Sequence, residues 1–226
     1  NGTYGASFID FASGIPNQGT YDTITFTSVT NNPNDVTIAS DTSLSIYNAK
    51  NLVVKNLSIG SSTTFKGVKL DGICNNVEIS NCNIRSNPIG NSNNIAGIYY
   101  HNTAGVANNI RVLNNKIDGG YYGIYFYGYN STNFSSNFIV NNNVLSNAYL
   151  YGVRFYYISL NSFSNNSITS RTSNYSGSFY GVYMYYSNSA LINSNRVQVL
   201  TTAINNPYGM YFTYLNYRSS TNNSLI

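Results

Sequence analysis

The sequence predicts an all-β fold, a parallel β-helix (solenoid) of about seven coils. Three observations carry this prediction. Two short phrases recur out of phase along the chain, both alternate apolar residues over a strand length, and both are bounded by Asn, Gly and Ser. A period of under about 30 residues accommodates two or three short strands per turn. A helical solenoid would need longer segments of 3.6 periodicity and fewer Asn and Gly.

The first phrase is led by glycine: GVKL from Gly67, GIYY from Gly97, GIYF from Gly123, GVRF from Gly152, GVYM from Gly181 and GMYF from Gly209. The intervals are 30, 26, 29, 29 and 28 residues. Alternation places Val68, Ile98, Ile124, Val153, Val182 and Met210 in one inward row. Leu70, Tyr100, Phe126, Phe155, Met184 and Phe212 form a second. The outward columns are then Lys69, Tyr99, Tyr125, Arg154, Tyr183 and Tyr211, followed by Asp71, His101, Tyr127, Tyr156, Tyr185 and Thr213. With coils about 4.8 Å apart, these columns make a nearly flat, tyrosine-rich face.

The second phrase sets an apolar residue, an Asn two later, and another apolar residue three beyond that. It reads VKNLSI (Val54 to Ile59), ISNCNI (Ile79 to Ile84), VLNNKI (Val112 to Ile117), VNNNVL (Val140 to Leu145) and FSNNSI (Phe163 to Ile168). With Ser for Asn it returns as INSNRV (Ile192 to Val197), and TNNSLI opens a further copy. Asn56, Asn81, Asn114, Asn142 and Asn165 fall at the corner after a strand. Asn tolerates left-handed backbone there, and stacked amides can hydrogen-bond from coil to coil. The column is read as structural.

The 226 residues fit one domain, with 1–50 as N-terminal coils or cap and 51–226 as regular repeats. The opening NGTYGAS carries neither an initiator Met nor a signal peptide, so a piece of a longer exported protein is expected. Only 8% of residues are charged, yet 15% are aromatic, which argues against disorder. The net charge of +4 forms no basic block, so nucleic acid is not an expected partner. No run approaches the roughly 18 apolar residues of a membrane span, and membrane insertion is not expected. Cys74 and Cys82 enclose an extended-looking segment too long for a disulfide and are predicted to be buried free thiols. His101 is the sole histidine and no CxxC occurs, so neither metal nor cofactor is expected.

Tyr21 to Ile59, YDTITFTSVTNNPNDVTIASDTSLSIYNAKNLVVKNLSI, resembles a phrase of large secreted β-helix proteins from gliding and polysaccharide-degrading bacteria. The matching residues are Ile24, Thr25, Phe26, Asp35, Val36, Thr37, Ile38, Leu44, Ala49, Val53, Lys55, Asn56, Leu57 and Ile59. The later coils resemble the right-handed, single-stranded parallel β-helix repeat of the pectate-lyase-like superfamily. The resemblance implies a right-handed coil and an extracellular or cell-surface location. It does not choose among lyases, hydrolases, adhesins and phage fibres.

Resembled lyases use a cationic base, often with calcium on clustered acids. Here the seven acids are scattered, and no paired-carboxylate column emerges. The one catalytic candidate is a corner of Asp71, His101 and Lys69, with Tyr99 and Tyr127 near by. In it a carboxylate would orient the imidazole as a base, and the ammonium would neutralise a substrate acid. An ordinary polar surface column is the alternative. The ligand-binding candidates are Tyr99, Tyr125, Tyr127, Arg154, Tyr156, Tyr183, Tyr185 and Tyr211. A tyrosine ring suits sugars and protein contacts, though tyrosine also simply stacks well on a sheet. Arg154 either meets an anionic glycan or stacks on Tyr125 and Tyr183. The expected function is a non-catalytic extracellular adhesive or glycan-contacting module, or a rigid spacer, of a bacterial surface protein. The alternatives are a polysaccharide lyase or hydrolase acting on an acidic glycan, and a filament subunit associating end to end or with a neighbouring domain.

Overall fold

The computed structural model describes residues 2–5, 7–10, 22–102, 104–172, 177–202 and 204–216. The TNNSLI copy lies outside the described residues. Every strand pairing is parallel, and the strands form three sheets stacked as a solenoid of about seven turns, with no helix among the described residues.

Sheet 1 comprises Ser7–Asp10 and Thr42–Tyr47, followed by the glycine-led strands Lys66–Asp71, Ala96–His101, Tyr122–Tyr127, Tyr151–Tyr156, Ser178–Tyr185 and Asn206–Thr213. Sheet 2 comprises Ile24–Thr27, Lys50–Lys55, Asn75–Ser80, Asn108–Leu113, Ser135–Asn141, Ile158–Ser164 and Asn188–Ser189, with Ile192–Asn193 also pairing to Ile158–Ser164. Sheet 3 comprises Gly2–Tyr4, Val36–Ile38, Ser58–Gly60, Asn83–Arg85, Lys116–Asp118, Val144–Ala148, Ser167–Ser170 and Arg196–Gln198. Each coil visits the sheets in the order 1, 2, 3, so the inward rows of all three line a common core.

That core is apolar and continuous. Ile98, Tyr100, Ile124, Phe126, Val153, Phe155, Val182 and Met184 from sheet 1 are wholly buried, as are Val77, Ile79, Ile110, Val112, Phe138, Val140 and Phe163 from sheet 2. Tyr100 keeps its hydroxyl satisfied inside by accepting from Asn102 Nδ2 at 2.9 Å, and burial pushes its pKa up to about 12. Met210 departs from the expected inward burial. It stands in register with Val182 but is 38% exposed, because Asn206–Thr213 is the last strand of sheet 1 and no described coil covers its far side.

The leading glycines have a steric cause. A Cβ on Gly123 would sit 2.8 Å from Leu145 and 2.6 Å from the carbonyl oxygen of Gly152, and one on Gly152 would overlap Ile168. At this position the inward residue of sheet 3 meets the backbone of sheet 1, and only a residue without a side chain lets them close.

The asparagine corner is half as expected. Asn56, Asn81, Asn114, Asn142 and Asn165 all have left-handed φ between 52° and 60°, and Ser194 takes φ 54° where it replaces Asn. In the later coils the buried hydrogen-bonded ladder belongs instead to the next residue, whereas at the first corner Asn56 Nδ2 itself donates to Asn31 Oδ1 at 3.0 Å, coil to coil as expected. Asn143 Oδ1 accepts from the Asn115 backbone N–H at 3.0 Å and from Asn115 Nδ2 at 3.1 Å. Asn143 donates in the same manner to Asn166 Oδ1, and Asn166 to Asn195 Oδ1. At these corners the left-handed residue turns its own side chain out, so Asn114, Asn142 and Asn165 are exposed while their successors are buried, whereas Asn56 is itself buried. Cys82 fills the ladder position one coil earlier. Its backbone N–H donates to Asn115 Oδ1 at 3.0 Å, and its thiol reaches the Val54 carbonyl at 3.8 Å, as Asn115 Nδ2 reaches that of Ile79. Both cysteines are buried and free, and burial pushes each thiol up to about 11.

A second ladder went unread in the sequence. Asn51, Asn76, Asn109 and Asn137 are also left-handed, near the start of the sheet 2 strands. Asn76 donates to Asn51 at 2.8 Å and Asn109 to Asn76 at 2.8 Å.

Candidate functional site

Sheet 1 holds its outward residues in two columns at the register read from the sequence: Lys69, Tyr99, Tyr125, Arg154, Tyr183, Tyr211 and His101, Tyr127, Tyr156, Tyr185, Thr213. Parallel in-register pairing keeps like residues one coil apart, and their rings meet. Tyr127 and Tyr156 have centroids 5.4 Å apart at 15°, Tyr183 and Tyr211 5.3 Å at 11°, and Tyr99 and Tyr125 5.2 Å at 30°.

Two further columns widen this face. Tyr122, Tyr151, Tyr180 and Tyr208 precede the glycines and stack nearly parallel, at 5.4, 5.1 and 4.6 Å. Alternation counted back from Ile124 would send Tyr122 inward. Instead the sheet 3 residue Leu145 occupies the space against Gly123, and the Tyr122 ring lies 4.6 Å from that of Tyr125. The recurrent Tyr-Gly dipeptide was the available signal. On the other flank, Tyr157, Tyr186 and Tyr214 form a corner column with φ of 54°, 44° and 55°. Left-handed backbone is uncommon for a bulky residue. Here the rings compensate by stacking, Tyr157 on Tyr186 at 5.9 Å and Tyr186 on Tyr214 at 4.4 Å.

Arg154 sits at the centre of the field. Its guanidinium carbon lies 4.8 to 5.8 Å from the ring centroids of Tyr122, Tyr125, Tyr151, Tyr156 and Tyr183. It donates to the Tyr122 hydroxyl at 3.0 Å and to the Tyr156 hydroxyl at 3.2 Å. Each cation–π contact of this kind contributes about 0.5–1 kcal/mol or more as water is excluded. Of the two roles open to Arg154, stacking is therefore realised, with rings beyond the two foreseen. Burial raises Tyr125 and Tyr183 and pushes Tyr151 up to about 12, so these three phenols stay neutral at physiological pH.

The charged corner is arranged differently. Lys69 Nζ lies 2.6 Å from Asp71 Oδ2, and Asp71 Oδ1 accepts the Gly72 backbone N–H at 2.9 Å. Both carboxylate oxygens are thereby engaged, and no hydrogen bond joins Asp71 to His101 among the described residues. His101 instead packs edge-on against Tyr127 at 4.8 Å and against Tyr99 at 6.4 Å. Burial lowers its pKa; Asp71 pulls it back up and Lys69 adds to the lowering. Lys66 lies over the Tyr99 ring at 5.0 Å and donates to Asn94. Among the described residues no group of three or more His, Cys, Asp or Glu side chains is placed to hold a metal ion.

The face as a whole offers phenol edges and hydroxyls at regular spacing, with the Arg154 guanidinium packed among the rings. It can form many weak apolar and hydroxyl contacts but holds no assembled acid–base pair. No protein-family model, curated protein or solved structure matches the chain.

Proposed function

We propose that the protein is a non-catalytic extracellular binding module, a rigid solenoid of a bacterial surface protein that contacts a neutral glycan through the tyrosine face of sheet 1. The observation that carries this reading is the contiguous array of phenols in columns one coil apart, with Arg154 packed among their rings and donating to two of their hydroxyls. Tyrosine combines an apolar ring with a hydroxyl that donates and accepts, which suits polyhydroxylated rings, and only two side-chain torsions need ordering. An aromatic surface of this extent on one chain marks an interaction site. The engagement of Asp71 by Lys69 favours binding over lyase chemistry, because nothing then orients His101 as a base. The resemblance of Tyr21–Ile59 to large secreted β-helix proteins supports a cell-surface location, and that of the later coils supports kinship with the pectate-lyase-like superfamily.

A glycan array tests the reading with three proteins: the wild type, a Tyr125/Tyr156/Tyr183→Ala variant and a Tyr208/Tyr211/Tyr214→Ala variant. The second variant changes exposed residues and leaves the ring packing around Arg154 intact. Loss of neutral-glycan binding in both, with unchanged circular dichroism, is the expected result. Binding that survives in both variants removes the tyrosine face from the function.

A further inference from the structure

We propose that Tyr186 and Tyr214 form a site of oxidative coupling, where a one-electron oxidant joins the two phenols as dityrosine. The oxidant is of the class of a haem peroxidase supplied with hydrogen peroxide. The product staples the last described coil of sheet 1 to the coil before it. The proposal rests on the spacing of the phenols and is independent of what the sheet 1 face binds.

Geometry selects this pair. Tyr186 and Tyr214 follow directly on the registered partners Tyr185 and Thr213, and the Tyr186 N–H donates to the Thr213 carbonyl at 3.1 Å. Their rings lie 4.4 Å apart at 9°, the shortest separation among the described ring pairs. Face-to-face stacking is the productive arrangement for two phenoxyl radicals, because their half-filled orbitals stand perpendicular to the rings. Two rings stacked this closely from adjacent parallel coils bring the carbons ortho to their hydroxyls together. Tyr214 is 50% exposed and Tyr186 half-buried, so an oxidant reaches the pair from solvent.

The rest of the chain offers few competing sinks for a one-electron oxidant. It has no tryptophan, and both cysteines are buried thiols, which oxidants attack slowly. Met184 is wholly buried, and the exposed Met210 takes up oxygen to give a sulfoxide. Tyr185 lies 4.6 Å and Tyr157 5.9 Å from Tyr186, and Tyr185 also meets Tyr156 at 4.8 Å. Exchange of an electron and a proton between touching phenols is nearly degenerate. A radical formed elsewhere in the array therefore migrates until coupling traps it at the closest stacked pair.

In the reaction each phenol gives up one electron and its hydroxyl proton, and the peroxide takes these to become two waters. The two unpaired electrons then form one carbon–carbon bond between the ortho carbons. Each of those carbons loses its hydrogen as a proton while a proton returns to each oxygen, restoring both phenols with a net loss of two hydrogen atoms. The link closes an open end. Asn206–Thr213 is the last strand of sheet 1 and is exposed over most of its length, and such ends open locally at little cost.

Treatment of the dilute protein with a haem peroxidase and hydrogen peroxide tests the site. Dityrosine fluorescence is expected in the monomer, with the mass of two hydrogen atoms lost. Trypsin, cutting after Arg171, Arg196 and Arg218, should release peptide 172–196 joined to 197–218. Tyr186→Phe and Tyr214→Phe keep the ring but lack the phenolic hydrogen, and each should lose the linked peptide. Tyr180→Phe and Tyr208→Phe, which alter the pair stacked at 4.6 Å, should retain it. Hydrogen exchange across Asn206–Thr213 should slow in the coupled wild type. Absence of dityrosine from the monomer, its persistence in the Tyr186 or Tyr214 variant, its loss in the Tyr180 or Tyr208 variant, or unchanged exchange after coupling would each overturn the proposal.

Discussion

Replacing Asn143 by leucine removes the middle rung of the buried ladder while keeping a side chain of similar size. Asn143 is wholly buried, so water cannot stand in for what is lost. Its Oδ1 accepts two donors of Asn115, the backbone N–H at 3.0 Å and Nδ2 at 3.1 Å, and both become unpaired. Its own Nδ2 donates to the Val112 carbonyl at 2.9 Å and to Asn166 Oδ1 at 3.0 Å, and both acceptors lose a partner. A buried donor left unsatisfied costs about 1–3 kcal/mol. Two such donors, less some gain from the apolar leucine, give a loss of about 1–5 kcal/mol, centred near 3. That is a large share of the ~5–15 kcal/mol by which domains are stable. Urea denaturation followed by tyrosine fluorescence and circular dichroism measures the change. The control is Asn142→Gly, which keeps the left-handed corner at an exposed residue and should cost within about 1 kcal/mol. A loss below about 1 kcal/mol for Asn143→Leu, or one equal to that of the control, would refute the assignment of the ladder to this column.

Gly152→Ala should destabilise by at least about 1–3 kcal/mol, because its Cβ lies 2.5 Å from the Gly181 carbonyl oxygen, whereas Gly209→Ala, with open space around it, should be nearly neutral in the same urea assay. Cys74 and Cys82 should resist a thiol reagent at pH 8 in the native protein and react fully in denaturant, since both are buried with raised pKa values. His101 titrates lower in the folded state than its unfolded value near 6.5, so the unfolded chain takes up the proton first as pH falls. Stability should therefore decline below about pH 6.5, and His101→Gln should flatten that limb of the melting-temperature profile. An unchanged profile would show that the imidazole is not held neutral by its aromatic neighbours.

The sequence by itself determined the repeat, the parallel architecture and the inward and outward rows of sheet 1. Period-two alternation and a fixed coil length are local properties that stacking merely copies. It also located the left-handed corners, since Asn56 through Asn165 mark them by residue type. Only the tertiary structure decided which asparagine carries the ladder. That choice depends on how a left-handed residue aims the next side chain, as the exposure of Asn142 and the burial of Asn143 illustrate. It also decided that Tyr122, Tyr151, Tyr180 and Tyr208 belong to the outer face, because a residue from another sheet displaces them where glycine breaks the alternation. The pairing of Arg85 with Asp118 on the neighbouring coil was likewise invisible in the chain. Which charges meet depends on side-chain reach across coils, and neither periodicity nor composition encodes that distance.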